Sequence, residues 1–147
     1  MKKLLISLLL LAGIAGVSSA VDTVATSTPS ANGPYKFIFS DASDSTGETA
    51  VQKVDISTLN GTPTKVRITK MKWSVVGMNV HVLFDHTTDD RVAILSGDGE
   101  MTEDMGPIMD PGSSGGTGDV LFTSQVVTST ATVRPGYTVF MELKKVQ

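Results

Sequence analysis

Cysteine is absent from the 147 residues, so neither a disulfide framework nor a thiolate metal site is available. Charged residues are scarce at 18%, below the usual quarter. The net charge is −3, which argues against a dedicated nucleic-acid binder, since such proteins carry a basic face. With one Trp and two Tyr there is little to line a sugar cleft, which weakens any reading of the carboxylates as a glycosidase pair. No amphipathic helix and no internal repeat stands out. What is present is an apolar head, a polar spacer and a long run of short alternating segments.

Met1-Lys2-Lys3 is a positive head, and Leu4 to Val17 runs apolar except for Ser7 and two glycines. Ser18-Ser19-Ala20 places small residues at −3 and −1 of a cut after Ala20. This is the layout of a secretory signal peptide. As a helix the fourteen apolar residues cover roughly 21 Å, short of a bilayer core of about 30 Å. Residues 1–20 are therefore expected to be a cleaved signal-like segment, with membrane contact only through it. Its loss removes Lys2 and Lys3, leaves 127 residues and takes the net charge to −5.

Residues 21–34 (VDTVATSTPSANGP) carry one charge, two prolines and no sustained period. They read as a flexible linker or arm. From Tyr35 to Gln147 the pattern is short strands between turns. Strands are expected at Tyr35–Ser40, Val51–Ile56, Val66–Val75, Val80–Phe84, Arg91–Leu95, Val120–Ser124 and Tyr137–Lys144. Asn60-Gly61, Gly77-Met78-Asn79 and Ser96-Gly97-Asp98-Gly99 are read as turns. Val66 and Ile68 share one parity and Met71, Trp73 and Val75 the other, so a bulge is expected near Thr69-Lys70. Thr102 is a candidate cap for a short helical turn through Met105. Residues 35–147 are thus expected to form one all-β domain, an antiparallel β-sandwich or jelly-roll-like barrel, with Trp73 in its core.

Candidate chemistry is thin. Gly112-Ser113-Ser114-Gly115-Gly116 matches G-x-S-x-G, but both histidines, His81 and His86, precede it and no helix follows. Asp119 follows Gly118 where a phosphate-binding loop needs a lysine. Between Asp85 and Asp110 lie eight acidic residues, Asp85, Asp89, Asp90, Asp98, Glu100, Glu103, Asp104 and Asp110, against Arg91 alone. Such oxygen-rich loops can bind Ca²⁺, yet the spacing fits no calcium loop and solvated loop charge accounts for them. His81 and His86 lie five apart, which sends them to opposite faces of a strand. Lys65, Arg67, Lys70 and Lys72 form a basic strip that could complement the acidic loops, within the molecule or on a neighbour. No catalytic, cofactor or metal residue is assigned, and no cofactor is expected.

The segments KWSVVGMNVHVLFDHTTDD (72–90), VAILSGDGE (92–100), GGTGDVLFTS (115–124) and GYTVFMELKK (136–145) together resemble a group of small uncharacterised proteins of tailed-phage genomes. The likeness covers about half of the chain. It implies a virion-associated protein, such as a head decoration or other surface component, and transfers no site residue. The expectation is a non-enzymatic structural protein with protein partners, either copies of itself or capsid proteins, and no nucleic acid. An exported β-sandwich module, on the cell surface or in the periplasm and binding a ligand, is the alternative.

Overall fold

The structure is a computed structural model that describes residues 23–27, 33–42, 47–112, 114–127 and 133–146. The apolar head at 1–20, much of the 21–34 segment, part of the turn at 41–47 and residues 128–132 lie outside the described residues. Among the described residues eight strands follow in chain order: β1 (Thr23–Ser27), β2 (Tyr35–Ala42), β3 (Val51–Val54), β4 (Val66–Phe84), β5 (Asp90–Met101), β6 (Ile108–Met109), β7 (Val120–Val126) and β8 (Gly136–Lys145). Every pairing is antiparallel. The strand order is β1-β2-β8-β4-β7-β3, with β5 and β6 also on β4. The described helices are two single 3-10 turns, Ile56–Thr58 and Glu103–Met105, and no helix among the described residues is long and apolar enough to cross a membrane.

Strand β4 is the hub. Residues 66–76 pair with β8, and residues 78–84 pair with β7. The change of partner falls at Gly77, whose φ of 67° is readily accessible only to glycine. Gly77 was expected to end a strand. Instead its carbonyl accepts a hydrogen bond from the N–H of Val127 at 2.9 Å, and the strand runs on through it. Opposite, β5 pairs with β4 on both sides of this point, and the register jumps between Val75 and Val80. The second expected turn, Ser96–Gly99, also lies inside a strand. Gly97 has φ 57° but pairs with Val75, so it bends β5 without ending it. In both places the long partner strand supplies enough ladder bonds to carry the chain through a glycine kink.

The bulge expected from parity is present. On β8, Leu143 and Glu142 are consecutive, whereas their partners on β4 are Ile68 and Lys70. Thr69 is the extra residue. It is 2% exposed, with its hydroxyl on the Glu142 carbonyl. The extra residue lets Val66 and Ile68, then Met71 and Val75, all face inward.

The sheet curls onto itself. Phe39 on β2 and Phe122 on β7 are separated in the strand order by β8 and β4. On a flat sheet they would stand roughly 14 Å apart, given a strand spacing near 4.8 Å. Their rings meet edge to face at 5.3 Å. Phe37 stacks on Phe39, and Phe122 continues edge to face into Tyr137, making one aromatic chain across the fold. Around it Val66, Ile68, Val80, Val82, Phe84, Val120, Val139 and Leu143 are fully buried. Each such side chain contributes about 1.5–3 kcal/mol of transfer free energy. Strand β8 shows the alternation most plainly, with Tyr137, Val139, Met141 and Leu143 inside and Thr138, Phe140, Glu142 and Lys144 outside. Trp73 is only partly buried against this core. Its ring covers Gly99, where a Cβ would collide with it.

Within the 21–34 segment, Thr23–Ser27 adds to the sheet edge as a strand, pairing Thr23 with Ser40 through to Ser27 with Lys36.

Candidate functional site

Three places gather polar or apolar groups beyond what the sheet itself requires. The first is the loop end of the β4–β5 and β6–β7 connections. His86 is 9% exposed rather than a free loop residue. Its Nε2 lies 2.8 Å from Asp110 Oδ1 and 3.7 Å from Asp90 Oδ2. Its Nδ1 is buried without a hydrogen-bond partner. Asp110 also accepts the Gly112 N–H at 2.8 Å. Asp85 accepts the hydroxyl and N–H of Thr117 at 2.7 and 3.1 Å. These donors, with His86 nearby, hold its carboxyl below the ordinary carboxylate range. Thr87 donates its hydroxyl to the carbonyls of Ser114 and Gly115.

These contacts decide several candidates. Ser114, the central serine of the glycine-serine motif, is exposed and meets this cluster through its carbonyl, while His86 is engaged by carboxylates. The motif is therefore a strap over the 85–90 loop, and no serine–histidine pair is formed among the described residues. Gly116, at φ 139°, lies so close to the Asp85 and His86 backbone that any side chain would clash. His81 lies on β4 between Ile94 and Thr123. Among the described residues no three of His, Asp or Glu are placed to hold a metal ion.

Of the other acidic residues, Glu103 lies 2.6 Å from Lys144 and 3.5 Å from Arg67. Hydrogen bonding to Lys144, with the charges of Lys144 and Arg67, lowers its carboxyl. Part of the basic strip is thus neutralised within the molecule. Asp98 and Glu100 stay exposed.

The second place is inside the curl, and the sequence did not announce it. Lys53 is 6% exposed, with its side chain fully enclosed. Its Nζ is 2.7 Å from Glu48 Oε1 and sits 5.8 and 5.9 Å from the ring centroids of Phe122 and Tyr137. The Tyr137 hydroxyl donates to Glu48 Oε2 at 2.9 Å. Lys53 turns inward because β3 is irregular here. Gln52 pairs with Leu121 and Val54 with Val120, leaving Lys53 as the extra residue. Strict alternation puts Lys53 on the face opposite to Val54, but both are buried. Glu48 is fixed by its backbone, whose N–H donates to Ser124 Oγ and whose carbonyl accepts from the Ser124 N–H. Gly47 allows that approach, since a Cβ there would collide with the Ser124 carbonyl. The one signal in the sequence was a lysine between Gln52 and Val54 in a short strand.

The third place is the outer face of the sheet. A groove of about 530 Å³ is lined by Lys72, Ser74, Asp98, Glu100, Thr138 and Phe140, together with Trp73 and Gly99. Ile38 is 44% exposed and is the cross-strand partner of Phe140. In the same row Phe140 pairs with Lys72, and Lys72 with Glu100. An apolar strip is thus flanked by charges of both signs.

No known protein family matches the chain, and neither the curated proteins nor the solved structures contain a significant match.

Proposed function

We propose that this chain is a non-enzymatic structural protein, a surface or decoration-type component of a multimeric assembly, with a tailed-phage virion as its setting. The observation that carries this reading is the open groove on the outer sheet face. Sheet faces left in water usually present polar residues. Here Ile38 and Phe140 stand side by side and lead into Lys72 and Glu100. Apolar residues rimmed by paired charges suit contact with a folded neighbour. The resemblance of the segments 72–90, 92–100, 115–124 and 136–145 to phage proteins supports the same setting. In this reading the curled sheet closes as a β-sandwich or jelly-roll-like body around the aromatic chain. The 21–34 arm and the long irregular section at 101–118, rich in Gly, Met and Pro, are contact elements in this reading.

The test is co-sedimentation of the purified chain with phage particles. Wild-type protein is expected to pellet with them, and Phe140→Asp to bind on the order of tenfold more weakly or worse while keeping its fold. Absence of any co-sedimentation, or unchanged binding by the variant, contradicts the proposal. The export alternative is favoured by the head at 1–20. Mass spectrometry of the native chain starting at Val21 would support that reading, and a start at Met1 or Lys2 would count against it.

A further inference from the structure

We propose that β5 pairs antiparallel with β5 of a second copy of this chain, about a two-fold axis at Ser96, which rests on the reading of the chain as an assembly component and names one neighbour in it. Strand β4 pairs with β8 and then β7 along one side, and with β5 along the other. Among the described residues β5 pairs with β4 alone. Its far edge therefore presents a row of unpaired N–H and C=O groups, a ready template for another strand. The two ends of the strand order are short, with five residues in β1 and four in β3. Strand β5 runs for 12 residues and carries neither Pro nor Lys, which are common guards of an open edge. Within it Leu95 alone is buried, and Ile94 is 53% exposed.

The charges on β5 select both the occupant and the register. Arg91 is the only basic residue between Asp85 and Asp110. Arg91 and Glu100 are both exposed, and neither enters an ion pair among the described residues. They stand near opposite ends of β5, so an antiparallel copy brings each against the other. Both lie on the outer face. Glu100 pairs with exposed Lys72, and Arg91 pairs with Leu83, which alternates with buried Val82 and Phe84. Leu83 and Val82 are consecutive, whereas their partners are Arg91 and Ala93, so Val92 is an extra residue. That extra residue lets Arg91 and Glu100, of opposite parity, share a face. With Ser96 against Ser96 on the axis, Ile94 lies opposite Asp98 and Arg91 opposite Glu100, twice by symmetry. Glu100 then stands between Lys72 of its own chain and Arg91 of the second copy. The row Ile38, Phe140, Lys72, Glu100 is thereby extended across the interface. A second copy supplies this charge match from its own sequence, which commits the edge to self-pairing.

The experiment is sedimentation equilibrium of the purified chain over a range of concentrations, without particles. Wild-type protein is expected to form a dimer. Arg91→Glu and Glu100→Arg should each weaken self-association on the order of tenfold or more, since each sets like charges opposite one another. An equimolar mixture of the two variants should restore the dimer, because both pairs across the axis are again opposite in sign. A monomer at every concentration overturns the proposal. Self-association that ignores the single changes overturns it too, as does a mixture that stays monomeric. If circular dichroism shows either variant unfolded, hydrogen exchange of the wild type decides. Protection along 91–100 should then rise with protein concentration, and exchange independent of concentration contradicts the interface. A monomeric chain that pellets with phage particles defeats the β5 pairing alone, and a dimer that never pellets defeats only the virion setting.

Discussion

The loop-end cluster and the cluster inside the curl satisfy buried polar groups by opposite means. At the loop end carboxylates lean on backbone and hydroxyl donors. Asp119 accepts the Ile56 N–H at 2.9 Å and the Gln52 side chain at 2.6 Å. Asp85 takes both donors of Thr117, and Asp110 takes the Gly112 N–H. Each contact fixes a turn, and the chain around it is partly in water. Inside the curl, Lys53 and Glu48 face one another close to two aromatic rings, with the Tyr137 hydroxyl on Glu48. The first arrangement spreads a modest cost over many donors. The second centres on one enclosed ion pair, so loss of the lysine takes the cation at 2.7 Å away from the Glu48 carboxylate.

The sharpest way to break the comparison is Lys53→Met, which strands Glu48. It should lower unfolding free energy by about 3–5 kcal/mol in urea titration. The double variant Lys53→Met, Glu48→Leu should recover much of that loss. If the single and double variants lose equally, the pair is not what holds this region. Next comes Gly47→Ala, which pushes a methyl into the Ser124 carbonyl. A loss of about 1–3 kcal/mol is expected from overpacking, while alanine at Gly97, where space is open, should cost less.

At the loop end, Asp119→Ala leaves a buried N–H and an amide unsatisfied. It should cost about 1–3 kcal/mol, read from the same titration. The smallest effect belongs to Asp85. Its folded-state carboxyl is held below the unfolded value of 3.8, so its contribution is present above that pH and fades as pH falls through the folded value. Asp85→Asn should flatten the acid side of a stability–pH curve and leave the curve's shape near neutrality unchanged.

Legibility in the sequence followed the same division. Strand β8 reads directly, because one face is core and the other solvent along its whole length. The Thr69 bulge was also visible, since it changes the parity of buried residues on either side. Gly77 and Gly97 misled because a glycine with positive φ ends a hairpin strand but only kinks one held by long partners. Lys53 was hidden by a bulge in a four-residue strand, too short for parity to show a break. His86 looked like a loop residue because its burial depends on Asp110, 24 positions away. The outer groove was invisible for a related reason. Ile38 and Phe140 become neighbours only through the β2–β8 register.

The central claim is that the outer face of the sheet meets the protein's neighbour. Hydrogen exchange on the chain bound to purified particles, compared with the free chain, tests it most directly. Added protection is predicted along 72–74, 98–100 and 138–140. Protection confined to the 85–90 and 110–119 loops, with that face exchanging as in the free chain, would contradict the account.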